Sequence, residues 1–123
     1  MRTDAEAVAA ALPAAFASAR VDAICDLMAA GVRWGRDEDT PETCHNRDNV
    51  RRHLETLFRG GLEVTVDKTA VVGSRILASL SYRFAVRSAP PIERFEIMTV
   101  VDGKVADIRP ATNRFDARRR LRA

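Results

Sequence analysis

At Gly60-Gly61 the hydrophobic pattern changes period, and this change limits the possible folds more than any other feature of the chain. Before the two glycines, apolar residues recur every three or four positions. From Leu62 onward they alternate with polar ones, the spacing that puts alternate side chains on opposite faces of a strand. Leu62 to Val72, Arg75 to Arg87, Arg94 to Val101 and Lys104 to Ala111 read as four strands. Gly73-Ser74 and Asp102-Gly103 suit two-residue hairpin turns, and Ala89-Pro90-Pro91 suits a wider connection. Strands joined this way are antiparallel neighbours.

The first half reads as helices around one short strand. Thr3 or Asp4 suits an N-cap, and Val8, Ala11, Leu12, Ala15, Phe16 and Ala19 share one helical face. Pro13 lacks a backbone donor and is expected to kink or split that helix. Val21 to Met28 reads as a second short helix stopped by Gly31, Val32-Arg33-Trp34 as a strand, and Gly35 to Thr43 as a polar turn region. Asn46 caps a third helix with the stripe Val50, Leu54, Leu57 and Phe58. The expected class is therefore α+β, in the order α-α-β-α-β-β-β-β, with N-terminal helices packed on a curved, mainly antiparallel sheet.

A chain of 123 residues fits one domain, 1–123, and two domains would leave neither with a core. The net charge of +3 misleads, because Arg118, Arg119, Arg120 and Arg122 crowd the end; without those four charges the remainder carries −1. Residues 116–123 are read as a basic tail, solvated or frayed, which argues against a nucleic-acid surface. No apolar run approaches the roughly 18 residues of a membrane span, and the alanine-rich start follows acids rather than the cations of a signal peptide. A cytoplasmic protein with no membrane partner is expected. Cys25 and Cys44 have no metal-ligand spacing and are read as reduced thiols.

The strand alternation defines two faces. Ile76, Ala78, Leu80, Tyr82, Phe84 and Val86 form the apolar side of one strand, and Phe95, Ile97, Thr99 and Val101 that of the next. These sets are expected to face the helices and line a pocket, with Ile108 inward on the last strand. Arg94, Glu96, Asp107 and Arg109 are expected on the outer face as cross-strand ion pairs. The candidates for proton transfer are Asp37, His53 and Tyr82: a carboxylate, the side chain that titrates near neutrality, and a phenol on an apolar face. Trp34 suits stacking on a flat ligand, and Arg36 suits holding an acidic one. Asp37, Glu38 and Asp39 with His45 lack a cation-binding loop pattern, so they are read as a solvated acidic loop with neither metal nor cofactor expected.

The ordered set Val21-Asp22-Ala23-Ile24 before Leu27-Met28, Val32-Arg33-Trp34, Cys44-His45-Asn46-Arg47-Asp48-Asn49-Val50 and Asp102-Gly103-Lys104-Val105 resembles the nuclear-transport-factor-2-like superfamily over about residues 5 to 115. That superfamily includes SnoaL-type polyketide cyclases, ketosteroid isomerases and limonene epoxide hydrolases. The resemblance implies a cystatin-like cone, usually dimeric, with a pocket between sheet and helices. It also implies, for the isomerases, an Asp base, a Tyr and a second carboxylic acid on the strand before the final hairpin. Matching with Asp22 and the Asp102-Gly103 hairpin as anchors puts Arg36, Leu12 and Ile97 at those positions, so the isomerase set is expected to be missing. For the hydrolase relay, Asp107 and Arg109 are expected to point outward.

The expected function is a SnoaL-like protein that binds a small, largely apolar molecule in the cone. The expected lining is Leu12, Phe16, Trp34, Arg36, His53, Leu80, Tyr82, Phe84, Phe95, Ile97, Thr99 and Ile108. The alternatives are an isomerase, cyclase or hydratase acting by proton transfer on a small hydrophobic substrate, and a structural dimerisation module without a ligand. A homodimer through the outer sheet face is the expected partner arrangement.

Overall fold

A computed structural model describes residues 1–84 and 89–123. Helix α1 spans Asp4–Ala17 and begins with a capping box: the Thr3 hydroxyl accepts from the Glu6 N–H at 3.1 Å, and the Glu6 carboxylate accepts from the Thr3 N–H at 3.0 Å. Pro13 does not split it. The proline lies on the exposed side of the helix, away from the packed stripe. Helix α2 is shorter than expected, Val21–Cys25, because Met28 already belongs to strand β1, Met28–Trp34. Asn46 caps α3, Arg47–Arg59, by accepting from the Asn49 N–H at 2.8 Å.

Strands β2 (Leu62–Val72), β3 (Arg75–Phe84), β4 (Ile92–Val101) and β5 (Lys104–Ala111) follow, with the two tight hairpins where the sequence puts them. At the second, Asp102 and Gly103 have φ of 51° and 79°, the left-handed pair that a twisted two-residue hairpin requires. The expected extension of β3 through Ala85 to Arg87, with Val86 inward, lies outside the described residues. The sheet order is β1-β5-β4-β3-β2, antiparallel except for the parallel β1–β5 pair.

The inner sheet face packs on α1, α2 and α3. Leu12, Ile24, Leu54, Ile76, Leu80 and Ile108 are almost completely buried there, with Phe16, Met98 and Val100 in the same cluster. The expected inward face of β4 is wrong. Met98 and Val100 point to the helices, as do Glu96 and Arg94, whose neighbours across the strands are inner residues; Phe95, Ile97 and Thr99 point away from them. The reason is a bulge in β5. Val100 pairs with Val105 but Thr99 pairs with Asp107, which leaves Ala106 as an extra residue. An unbroken ladder would set Ile97 opposite Ile108. The bulge sets Met98 there and gives Ile97 to Arg109.

What makes an outward Phe95 and Ile97 tolerable is the segment expected to be a basic tail. Residues Arg114–Arg122 form helix α4, which lies on the outer sheet face. Ala117 and Leu121, one turn apart, pack against Leu77, Phe95 and Ile97 as a second buried cluster. Its N-terminus is fixed twice: Asn113 accepts from the Asp116 N–H, and Asp116 accepts from the Thr112 N–H, each at 2.9 Å. The Thr112 N–H is the chief reason that the Asp116 carboxyl is held at about 2. Among the described residues no helix is long and apolar enough to cross a membrane.

Candidate functional site

Glu96 is the exceptional residue of the inner face. It occupies a core position on β4, opposite Ala78 of β3 and Pro110 of β5, and only 6% of its surface is exposed. Its Oε2 is buried with no hydrogen-bond partner among the described residues. An ionised carboxylate in such a place loses its hydration, so the carboxyl is better kept protonated. Burial pushes it up to about 7, against the opposing pull of the Arg94 charge and a hydrogen bond from Trp34.

The groups around it come from four elements. Trp34 ends β1, where its backbone pairs both ways with Cys44 (3.0 and 2.9 Å) and closes the neck of the intervening loop. Its indole meets the His53 ring of α3 edge to face, with centroids 5.7 Å apart and planes at 88°. Burial lowers the His53 pKa, which favours the neutral imidazole. Tyr82 stands on β3, half-buried against the core, and burial together with the nearby Glu96 charge pushes its phenol up to about 12. The phenol therefore remains a hydrogen-bond donor throughout the physiological range. The Arg94 guanidinium lies 5.7 Å from the centre of the Tyr82 ring, a cation–π distance.

Of the three proton-transfer candidates, His53 lies against Trp34 and Tyr82 lies near Glu96, and Asp37 does not join them. Asp37 follows β1 but turns to α4, where Arg120 contacts both its oxygens at 3.0 and 2.9 Å and Arg109 reaches Oδ1 at 3.4 Å. These arginines, Arg120 first, hold its carboxyl below the usual range. It is a clamp between loop and helix. Because the Asp37 carboxylate stays more than half exposed, Asp37→Ala is expected to lower stability by about 1 kcal/mol or less in a denaturant melt.

The remaining candidates divide. Leu12, Phe16, Leu80 and Ile108 belong to the inner cluster, while Trp34 and Tyr82 flank it. Phe84, near the open end of β3, is 39% exposed. Phe95, Ile97 and Thr99 are corrections, because their face belongs to α4. Arg36 is exposed beside the hollow that Asp37, Glu38, Arg94 and Arg120 also line. His45 contacts Asp39 at 2.9 Å in the outer loop, with both side chains exposed. The expected outer quartet also splits. Asp107 and Arg109 are outside and hydrogen-bonded to each other at 3.0 Å, whereas Glu96 is buried on the helix side and Arg94, on the same strand face, is exposed at its edge.

Sequence reasoning missed Glu96 as a site residue. Its signal was present, since Arg94, Glu96, Met98 and Val100 form one alternating set, but a set with two charges reads as the solvent side.

The fold has many solved counterparts. A cystatin-fold protein of Novosphingobium aromaticivorans superposes with a TM-score of 0.72 at 15% identity, covering 89% of this chain and 98% of that one. A structure from Kribbella flavida that carries the provisional name ketosteroid isomerase gives 0.69 at 17% identity, over 87% of this chain and 76% of its own. A Mycobacterium tuberculosis epoxide hydrolase of the LEH-like type gives 0.69 at 13% identity, over 96% and 89%. At such identities these likenesses establish the cone fold alone. No curated protein matches the sequence. The model of one family does, along residues 9–108, from α1 to the inward Ile108 of β5, and the chain belongs to that family, the SnoaL-like domain.

Proposed function

We propose that this protein binds a small, largely apolar molecule at the open end of its cone and moves a proton on it, with Glu96 as the proton carrier. One observation carries the reading: a buried carboxyl with an unpartnered oxygen and a pKa near 7, among groups that can donate hydrogen bonds. Near neutral pH such a group populates acid and base forms comparably, the condition under which it can both take and return a proton. A carboxylic acid on the strand before the final hairpin is also what the isomerases of the superfamily use, and Glu96 is one residue from the position that the hairpin match gave to Ile97.

In the simplest step, the Glu96 carboxylate takes a proton from a carbon beside a carbonyl. The C–H electron pair becomes the C=C bond of an enolate, whose oxygen takes the negative charge. Tyr82, as a neutral donor, and Arg94, as a cation, are the groups available to that oxygen. Glu96 then returns the proton to the substrate, and no other reactant is consumed. The apolar neighbours Leu80, Met98 and Ile108 favour a hydrophobic substrate and exclude water from the carboxyl.

A second reading, a structural module without a ligand, draws on the inner cluster that fills much of the space between helices and sheet. One experiment separates them. Trp34 is the sole tryptophan, so its emission reports occupancy beside Glu96. The protein in D2O is mixed with a panel of small cyclic ketones, and Trp34 emission and ketone mass are followed. Saturable change in emission with protein-dependent deuterium uptake beside the carbonyl is expected. Emission that no ketone alters would leave the structural module, and binding without deuterium uptake would remove the proton transfer.

A further inference from the structure

A second hollow, of about 410 Å³, lies on the opposite side of the sheet, between β2, β3 and the flank of α4. Its volume falls within the roughly 300–1,000 Å³ of small-molecule sites. Leu77 and Leu121 supply an apolar floor, extended by Ala70. The β2 bulge at Asp67 bends that strand beside it. Around the rim stand Lys68, Arg118 and Arg122.

The charges on this rim differ from those elsewhere on α4. Arg119 and Arg120 are engaged by Asp116, and Arg120 also by Asp37. Arg114 lies 3.8 Å from Glu93 at one end of the hollow, and Asp67 is engaged by the Ser81 hydroxyl. Among the described residues, Lys68, Arg118 and Arg122 have neither ion pair nor side-chain hydrogen bond. Counting all the lining charges, four cations face two acids.

From this apolar floor under unpaired cations we infer an anion site: the hollow binds a small amphipathic anion, an apolar chain or ring ending in a carboxylate. The body displaces water from Ala70 and from the remaining exposed edges of Leu77 and Leu121, and the carboxylate meets Arg118 or Arg122, whose planar donors match its two oxygens. A single-stranded nucleic acid fits less well, because none of the lining residues is an aromatic on which a base could stack. The site is independent of the cone and of the reading proposed for it.

The test uses the full chain, labelled with ¹⁵N and titrated with octanoate and, separately, with 1-octanol. Octanoate is expected to shift the amides of Thr69, Ala70, Leu77, Ser79 and Leu121, with octanol needing at least about tenfold more to reach the same shift. The double variant Arg118→Glu with Arg122→Glu changes exposed side chains only; it is expected to weaken octanoate at least about tenfold while the amides of Tyr82 and Glu96 keep their positions. Equal titration by the acid and the alcohol would overturn the inference. So would shifts confined to the cone, unchanged octanoate affinity in the variant, or tighter binding of a single-stranded oligonucleotide than of octanoate. Concentration-dependent shifts of the same amides without ligand would put a second copy of the chain there instead.

Discussion

Replacing Glu96 by Gln is expected to remove a pH dependence of stability and, with it, the proton transfer. The carboxyl pKa is raised, from an ordinary value of 4.5 to about 7. The folded state therefore holds a proton through that interval while the unfolded state has released it, so unfolding becomes easier as pH rises. The contribution of protonated Glu96 is fully present below about 4.5, is lost as the pH climbs through about 7, and changes little beyond it. A shift of this size corresponds to about 3 kcal/mol, or roughly 10–15 °C in melting temperature for a domain of this length. Gln cannot ionise. The wild type is thus expected to lose about that much more stability than Glu96→Gln between pH 4.5 and pH 8. Comparing the two slopes cancels the cost of burying the amide, which both pH values share. Parallel urea-melt curves for the two proteins would show that Glu96 is not held protonated by the fold. Where a ketone exchanges deuterium with the wild type, the same variant should be slower by about 10²-fold or more, since it keeps the shape of the site and lacks the proton carrier.

The second large effect is expected at α4. Ala117 has no exposed surface, and its methyl meets the Leu77, Phe95 and Ile97 face. In Ala117→Asp a carboxylate must either be buried there or force the helix off the sheet. Undocking sets the upper limit of the cost, because it exposes Leu121 and the three sheet residues without opening the inner cluster. That limit is the burial of four large side chains, about 1.5–3 kcal/mol each, less the chain entropy that the freed helix regains, which leaves a net of a few kcal/mol. A chain ending at Thr112 is expected to lose a similar amount, and hydrogen exchange should quicken at Leu77 and Ile97 before it does at Leu80 and Ile108. If both changes left the melt where it was, residues 116–123 would be the solvated tail that their charge suggests. The two effects are largely independent, as Glu96 and Ala117 lie on opposite sides of the sheet.

Much of the fold was legible in the residues. The capping box at Thr3, the Asn46 cap, the Gly60-Gly61 stop, the alternation from Leu62 and the Asp102-Gly103 turn are local signals, each readable within a few positions. The ordered elements also resembled the right superfamily, which the family match and the structural counterparts bear out. Tyr82 was singled out as the only Tyr, a phenol on an apolar strand face, and Trp34 as a ring at the end of the first strand that suits stacking on a flat ligand.

Glu96 and α4 were not legible, and for connected reasons. Alternation divides β4 into two sets, Phe95-Ile97-Thr99 and Arg94-Glu96-Met98-Val100, but leaves open which set meets the core. Apolar content favours the first set, and a solvated outer face would have made that choice right. The extra residue at Ala106 fixes the opposite register, and α4 covers the outer face with only two buried side chains of its own, too few to show as a stripe among five arginines. The chain by itself therefore determined the elements, their order and their turns, which depend on neighbours in sequence. The tertiary structure decided which face of β4 is inside, and with it that a carboxyl lies in the cone, because that depends on what covers each side of the sheet.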